Sequence, residues 1–230
     1  MPDLKGDAAK QVKKEEVDLR ASIAKAREMM KKGEHEAAAE LLKSQKKAAL
    51  EGSKTDAHRF GNTYAMALKE TARDSEKREQ ATDEMLSFGK ALTEKGGKGE
   101  GPNANGALGN HIQGVGHALK GNWDDSISAS KAAMESSKGD KSLEGLNAVA
   151  TGQLAYSMSR QAKKDGKLDE TKAKEIHELH KQATSGKGAD FAVLNHNRSV
   201  FLGKVGGEKQ HKTALELSDK AVEQANGRVD

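Results

Sequence analysis

The chain contains no cysteine, only two prolines and very few aromatic side chains: one tryptophan, two tyrosines and four phenylalanines in 230 residues. The missing cysteine excludes disulfides, thiolate nucleophiles and cysteine-held zinc or iron–sulfur centres. With prolines at Pro2 and Pro102 alone, nearly all of the chain is free to be helical. No run of about 18 apolar residues is present, so no spanning helix is expected. Residues 1–20 are polar and charged, without the apolar stretch of a signal peptide, and the expected location is cytoplasmic. Strand patterns, in which β-branched or aromatic residues alternate with polar ones, are almost absent as well.

What the chain does have is charge and small helix formers. Hydrophobic residues make up 34% and charged residues 32%, and alanine, lysine and glutamate dominate. So thin an apolar content suits stacked helix pairs, each burying one stripe, better than a single round core. The net charge of +4 comes from 39 basic against 35 acidic residues, a small excess that argues weakly for a polyanionic partner.

Apolar residues recur at helical spacing. Val12, Leu19, Ile23, Ala26 and Met30 form a first stripe that stops at Gly33 after Lys31 and Lys32. Ala38, Leu41 or Leu42, Gln45 and Ala48 or Ala49 form a second, broken by Gly52-Ser53. Two helices joined so tightly must lie antiparallel. The unit recurs with Phe60, Tyr64 and Leu68 before Ala81, Met85, Phe88 and Leu92, where Asp74 or Ser75 is a candidate N-cap. Leu108, Ile112, Val115 and Leu119 precede Trp123, Ile127, Ser130 and Met134, with Asn122 as N-cap. Leu143, Leu146, Ala150, Leu154 and Met158 precede Leu168, Ile176, Leu179 and Ala183. Phe191, Leu194, Phe201 and Val205 precede Ala214, Leu217, Ala221 and Ala225. Second helices are expected to start near 34, 75, 122, 168 and 208, a period of roughly 40–48 residues. The expected fold is therefore an all-α solenoid of about five antiparallel helix pairs, one domain over 1–230. Residues 95–106, rich in glycine, read as an irregular inter-repeat loop or as a hinge between repeats 1–2 and repeats 3–5.

Residues 107–134 resemble one tetratricopeptide repeat: Gly114 is small in the first helix, Gly121 sits at the turn, Trp123 at the corner, and Ser126 and Ala133 are small in the second helix. Residues 22–49 match through Ala26, Gly33, His35 and Ala38, and the other three units are looser. The resemblance implies a right-handed superhelix whose concave groove, lined by first helices, holds a peptide or another protein. Mapped onto this chain it offers Ile23, Arg27, His111, Val115, Leu119, Tyr156, Arg160, His196 and Val200 as groove residues. The basic members would favour an acidic ligand.

Catalytic patterns find little support. His177 and His180 stand three apart, but zinc needs three or four ligands, and His180 shares the apolar stripe of Ile176 and Ala183. Gly114-Val115-Gly116 and Gly186-Lys187-Gly188 lack the residues that complete a dinucleotide or phosphate loop. No metal or cofactor is expected, and binding rather than catalysis is. The main expectation is a protein- or peptide-binding scaffold. The alternatives are a helical protein that binds a polyanion such as nucleic acid, which lacks stacking aromatics, and a self-associating structural protein pairing through its long first helix.

Overall fold

The computed structural model describes residues 4–97, 103–205 and 207–226, with side chains from Asp18 onward. Among the described residues there are ten α-helices and no strand: α1 (Leu4–Lys31), α2 (His35–Glu51), α3 (Lys54–Thr71), α4 (Arg78–Gly96), α5 (Ala104–Leu119), α6 (Trp123–Ser137), α7 (Glu144–Lys164), α8 (Glu170–Ala183), α9 (Ala192–Val205) and α10 (Glu208–Asn226). Short 3-10 turns at Lys141–Leu143 and Gly186–Asp190 precede α7 and α9. No helix among the described residues is long and apolar enough to cross a membrane.

The turns inside the pairs share one geometry. Gly33, Gly121 and Gly166 have φ of 81°, 75° and 66°, a left-handed conformation open to glycine at no steric cost. The residue after each glycine donates its N–H back to the helix: Glu34 to Met29 at 2.9 Å, Asn122 to His117 at 2.9 Å and Lys167 to Ala162 at 2.8 Å. This is the Schellman closure of a helix C-terminus. Three of the five first helices therefore end in the same way, as a repeated sequence unit would require.

Other ends depart from expectation. Asn122 occupies the N-cap of α6, but its side chain makes no capping hydrogen bond. Neither Asp74 nor Ser75 caps α4, whose N-cap is Lys77. Asp74 Oδ1 instead accepts the Glu76 N–H at 3.0 Å, and the extra turn delays α4 by three residues. The glycine-rich segment is more helical than expected. Lys95 and Gly96 belong to α4, and Ala104, Asn105 and Gly106 to α5, leaving residues 98–102 outside the described residues. Lys95 Nζ donates to the Leu50 and Gly52 carbonyls at 2.6 and 2.8 Å, tying the end of α4 to the end of α2. Asn103 caps α5 by accepting the Gly106 N–H at 2.9 Å.

Sequential helices pack on one another throughout, and the odd-numbered ones form a second line of contact: α1 on α3, α3 on α5, α5 on α7 and α7 on α9. The even-numbered helices approach one another much less. A large cluster runs from α1 to α5. It includes Leu19, Ile23, Ala26, Leu42, Phe60, Tyr64, Met85, Phe88, Leu92, Leu108 and Ile112, all buried. Val12 of the expected first stripe lies outside the described side chains. Phe60, Tyr64 and Phe88 meet with ring centroids 5.2 to 5.7 Å apart, in tilted and edge-on contacts that suit their quadrupoles. The Tyr64 hydroxyl donates to Glu84 Oε1 at 3.0 Å, which also takes Lys46 Nζ at 2.7 Å. Smaller clusters follow around Leu154, Met158, Ile176 and Phe201, and around Ala148, Ala183 and Leu194.

Glycine and serine close the seams between units. A methyl built on Gly89 of α4 would lie 2.8 Å from the Gly109 carbonyl oxygen of α5, too near for any side chain. That contact joins the helices on either side of residues 97–103. Further along, buried Ser126 of α6 donates to the Gly114 carbonyl of α5 at 2.7 Å and lies 2.7 Å from the Ser157 hydroxyl of α7. Small residues let three helix axes converge there, and mutual hydrogen bonds offset the burial of the hydroxyls.

Candidate functional site

A groove of about 740 Å³ crosses the odd-numbered helices. Its walls are His58, Asn62, Met66 and Lys69 of α3, the Leu108–Leu119 face of α5, Leu146, Val149, Gln153 and Tyr156 of α7, and Val193, Leu194 and Asn197 of α9. Phe191 and Leu143, just before α9 and α7, complete it. The odd-numbered helices that line it also touch one another, whereas the even-numbered helices do so much less.

The lining is chemically unlike the rest of the surface. Charged residues make up 32% of the chain, yet among the described residues Lys69 is the single lining residue with a formal charge, and no carboxylate lines the groove. Both histidines on the wall are held neutral. Burial, reinforced by the charge of Lys69, pushes His111 down to about 4. Burial also lowers His58, with the Ala104 backbone opposing it. Their Nδ1 atoms are shut away from solvent without a hydrogen-bond partner among the described residues. Lys69 itself makes no ion pair among the described residues. Two of the wall amides are engaged locally: Asn62 Nδ2 lies 3.4 Å from His58 Nε2, and Gln153 Nε2 donates to the Ser157 hydroxyl at 3.2 Å.

Four of the nine residues singled out in the sequence, His111, Val115, Leu119 and Tyr156, line this groove. The other five do not. Ile23 is 7% exposed and belongs to the core beneath it. Arg27 points to α3, where its Nε donates to Thr63 Oγ1 at 3.3 Å. Arg160 stacks over Trp123 and Tyr156, 5.7 and 6.0 Å from their ring centroids. His196 and Val200 are exposed outside the lining, because α9 presents Val193 and Asn197 to the groove instead. That is an offset of three positions, equivalent to turning the helix by about 60°. A 3-10 turn at Gly186–Asp190, absent from the expected register, precedes α9. With both arginines elsewhere, the groove loses the basic character from which an acidic ligand was expected.

Trp123, expected at the corner of its repeat as a plug between the two helices, is not fully buried there. It is half-buried and meets Tyr156 edge-on, with centroids 6.2 Å apart, so it packs against the next unit's first helix. His180 is 2% exposed, with its ring 5.2 Å from that of Phe201, and burial lowers it to about 4. Its place in the core accounts for its presence on the apolar stripe. Among the described residues no three metal-ligating side chains of the His, Cys, Asp or Glu types gather closely enough to hold an ion.

The α3 wall carried no sequence signal strong enough to find it. His58, Asn62, Met66 and Lys69 recur at helical spacing, but three of the four are polar and resemble any solvated face. Met66, the one apolar residue of the four, is 60% exposed in the structure, which the sequence does not reveal. No family model matches the chain, and no curated protein matches it in sequence.

Proposed function

We propose that this chain is a binding scaffold, a right-handed helical-repeat superhelix of the tetratricopeptide kind, which holds a segment of another protein in the groove between α3 and α9. One observation carries the reading: a concave surface built from four successive first helices is nearly free of charge in a chain one-third charged. Solvated helix faces keep their lysines and glutamates. A wall that replaces them with Met66, Val115, Leu119, Leu146, Val149 and Val193 gives up solubility for a surface that gains free energy when covered. The wall also offers a partner few groups for acid–base or nucleophilic work, because its two histidines are shielded and no carboxylate stands beside them. A single lysine is a poor counterpart for a nucleic-acid backbone.

The test is affinity capture from a native lysate, comparing the wild-type chain with Met66→Asp/Val193→Asp. Both positions line the groove and are exposed, at 60% and 48%, so the double variant should fold normally. A protein retained by the wild type at moderate salt and lost from the variant is the expected result. Capture of nucleic acid that washes away with salt, unaffected by the variant, would sink the groove reading and favour the polyanion one.

A further inference from the structure

We infer that the groove accepts an amphipathic helix of a partner protein, with an apolar stripe toward the wall and a carboxylate placed to meet Lys69. This rests on the reading of the groove as a binding surface and adds the form of its ligand. Backbone hydrogen bonds separate a helical ligand from an extended one. An extended peptide brings one N–H and one C=O per residue, and each needs a partner once it is covered. Sheet edges supply such partners. Helices do not, because their own backbone groups are already paired.

Here the wall offers few such partners, chiefly the Tyr156 hydroxyl, Asn197 and two half-buried imidazoles, on a surface that is otherwise apolar. Met66, Leu108, Ile112, Val115, Leu119, Leu146, Val149, Phe191, Val193 and Leu194 are apolar, and the amides of Asn62 and Gln153 are engaged with His58 and Ser157. Of the wall's three side-chain amides, only Asn197 has no such local bond among the described residues. A strand of five residues brings about ten backbone groups, and each one that the wall covers loses water and needs a partner there. A helix arrives with those groups satisfied and asks only for apolar contact, read as a stripe at i, i+3 or i+4, and i+7.

Charge sets the orientation. Lys69 is the one cation on the wall, makes no ion pair among the described residues, and stands near the shielded His111 ring. A carboxylate beside the stripe would pair with it. A cation there would meet repulsion from Lys69 and find no carboxylate on the wall to answer it.

The experiment is selection from a random display library of 16-residue peptides against the full chain, counter-selected against Met66→Asp/Val193→Asp. Enriched peptides are then synthesised and followed by fluorescence anisotropy and circular dichroism. The expected result is a shared apolar stripe of helical period, helicity gained on binding and at least about ten-fold weaker binding to the double variant. Replacing the shared acidic residue by its amide should weaken binding about two- to five-fold on the wild type and not on Lys69→Gln. Enrichment of alternating or proline-rich peptides that bind without gaining helix, yet still lose affinity on the double variant, would overturn the helix inference while leaving the groove in place. No enrichment dependent on Met66 and Val193 would overturn both.

Discussion

Between α3 and α4 three aromatic rings meet edge to face, whereas between α5, α6 and α7 the same kind of junction is closed by a glycine and two serine hydroxyls. Both regions belong to one run of helix pairs, yet they bury different chemistry. Rings bury large areas and tolerate some looseness in how the helices approach. Glycine and serine bury little, and they work only when the axes come close enough for hydroxyl to reach carbonyl. The aromatic region should therefore supply most of the stability. The serine and glycine seams should supply most of the precision with which successive units, and hence the walls of the groove, are placed.

The sharpest way to break that comparison is Phe88→Ala. Removing a fully buried ring from the triangle should cost about 3–5 kcal/mol in denaturant unfolding. A loss no greater than that of Ser126→Ala would show that the rings do not dominate. Acid should weaken the chain by a comparable amount through α8 and α9, beyond the serine seam. His180, buried against Phe201, is held down from 6.5 to about 4, so the folded chain refuses a proton that the unfolded chain takes up. Its contribution is complete above pH 6.5 and is lost as pH falls toward 4, at about 1.4 kcal/mol per pH unit. His111, similarly lowered, should add to the effect. Urea titrations from pH 7 to 4 would measure the slope, and His180→Leu should flatten it. An unchanged slope would remove His180 from the account.

Gly89→Ala sharpens the comparison at the α4–α5 seam. The added methyl would press on the Gly109 carbonyl and the Gln113 side chain, for a net loss of about 1–2 kcal/mol despite alanine's better helix propensity. A stabilised protein would mean the seam has room to spare. The smallest effect belongs to Trp123→Ala. A half-buried indole in edge contact with Tyr156 and under Arg160 should be worth about 1–2 kcal/mol by thermal or urea denaturation. A loss of 4 kcal/mol or more would restore it as a buried plug.

Much of the fold was legible because helical periodicity and turn glycine are local signals. Second helices begin at His35, Arg78, Trp123, Glu170 and Glu208, against expectations of 34, 75, 122, 168 and 208. Phe60, Tyr64, Leu68, Ala81, Met85, Phe88 and Leu92 are buried as their stripes require. The α4 start slipped because a side chain able to cap a helix can equally close a turn, as Asp74 does with Glu76.

The groove was legible only in its middle. On α5 the resemblance to a repeat was strongest, and His111, Val115 and Leu119 do line the wall. On α9, which follows an unexpected 3-10 turn, the lining residues are Val193 and Asn197 rather than His196 and Val200. On α1 the same register led to Ile23, which lies in the core.

Local pattern in the sequence was enough by itself to mark which segments are helices, where most of them turn and which stripe most of them bury. Those properties depend on residues within a few positions of one another. It was not enough for the last helices: Val205 and Ala225 of the expected stripes are exposed, and α9 buries Leu202 instead. Only the tertiary structure decided which exposed faces converge, which cations stay at the groove and which are drawn off, as Arg160 is to Trp123 and Arg27 to Thr63. Convergence depends on the rotation of each helix about its axis, and that rotation is summed over every turn that precedes it.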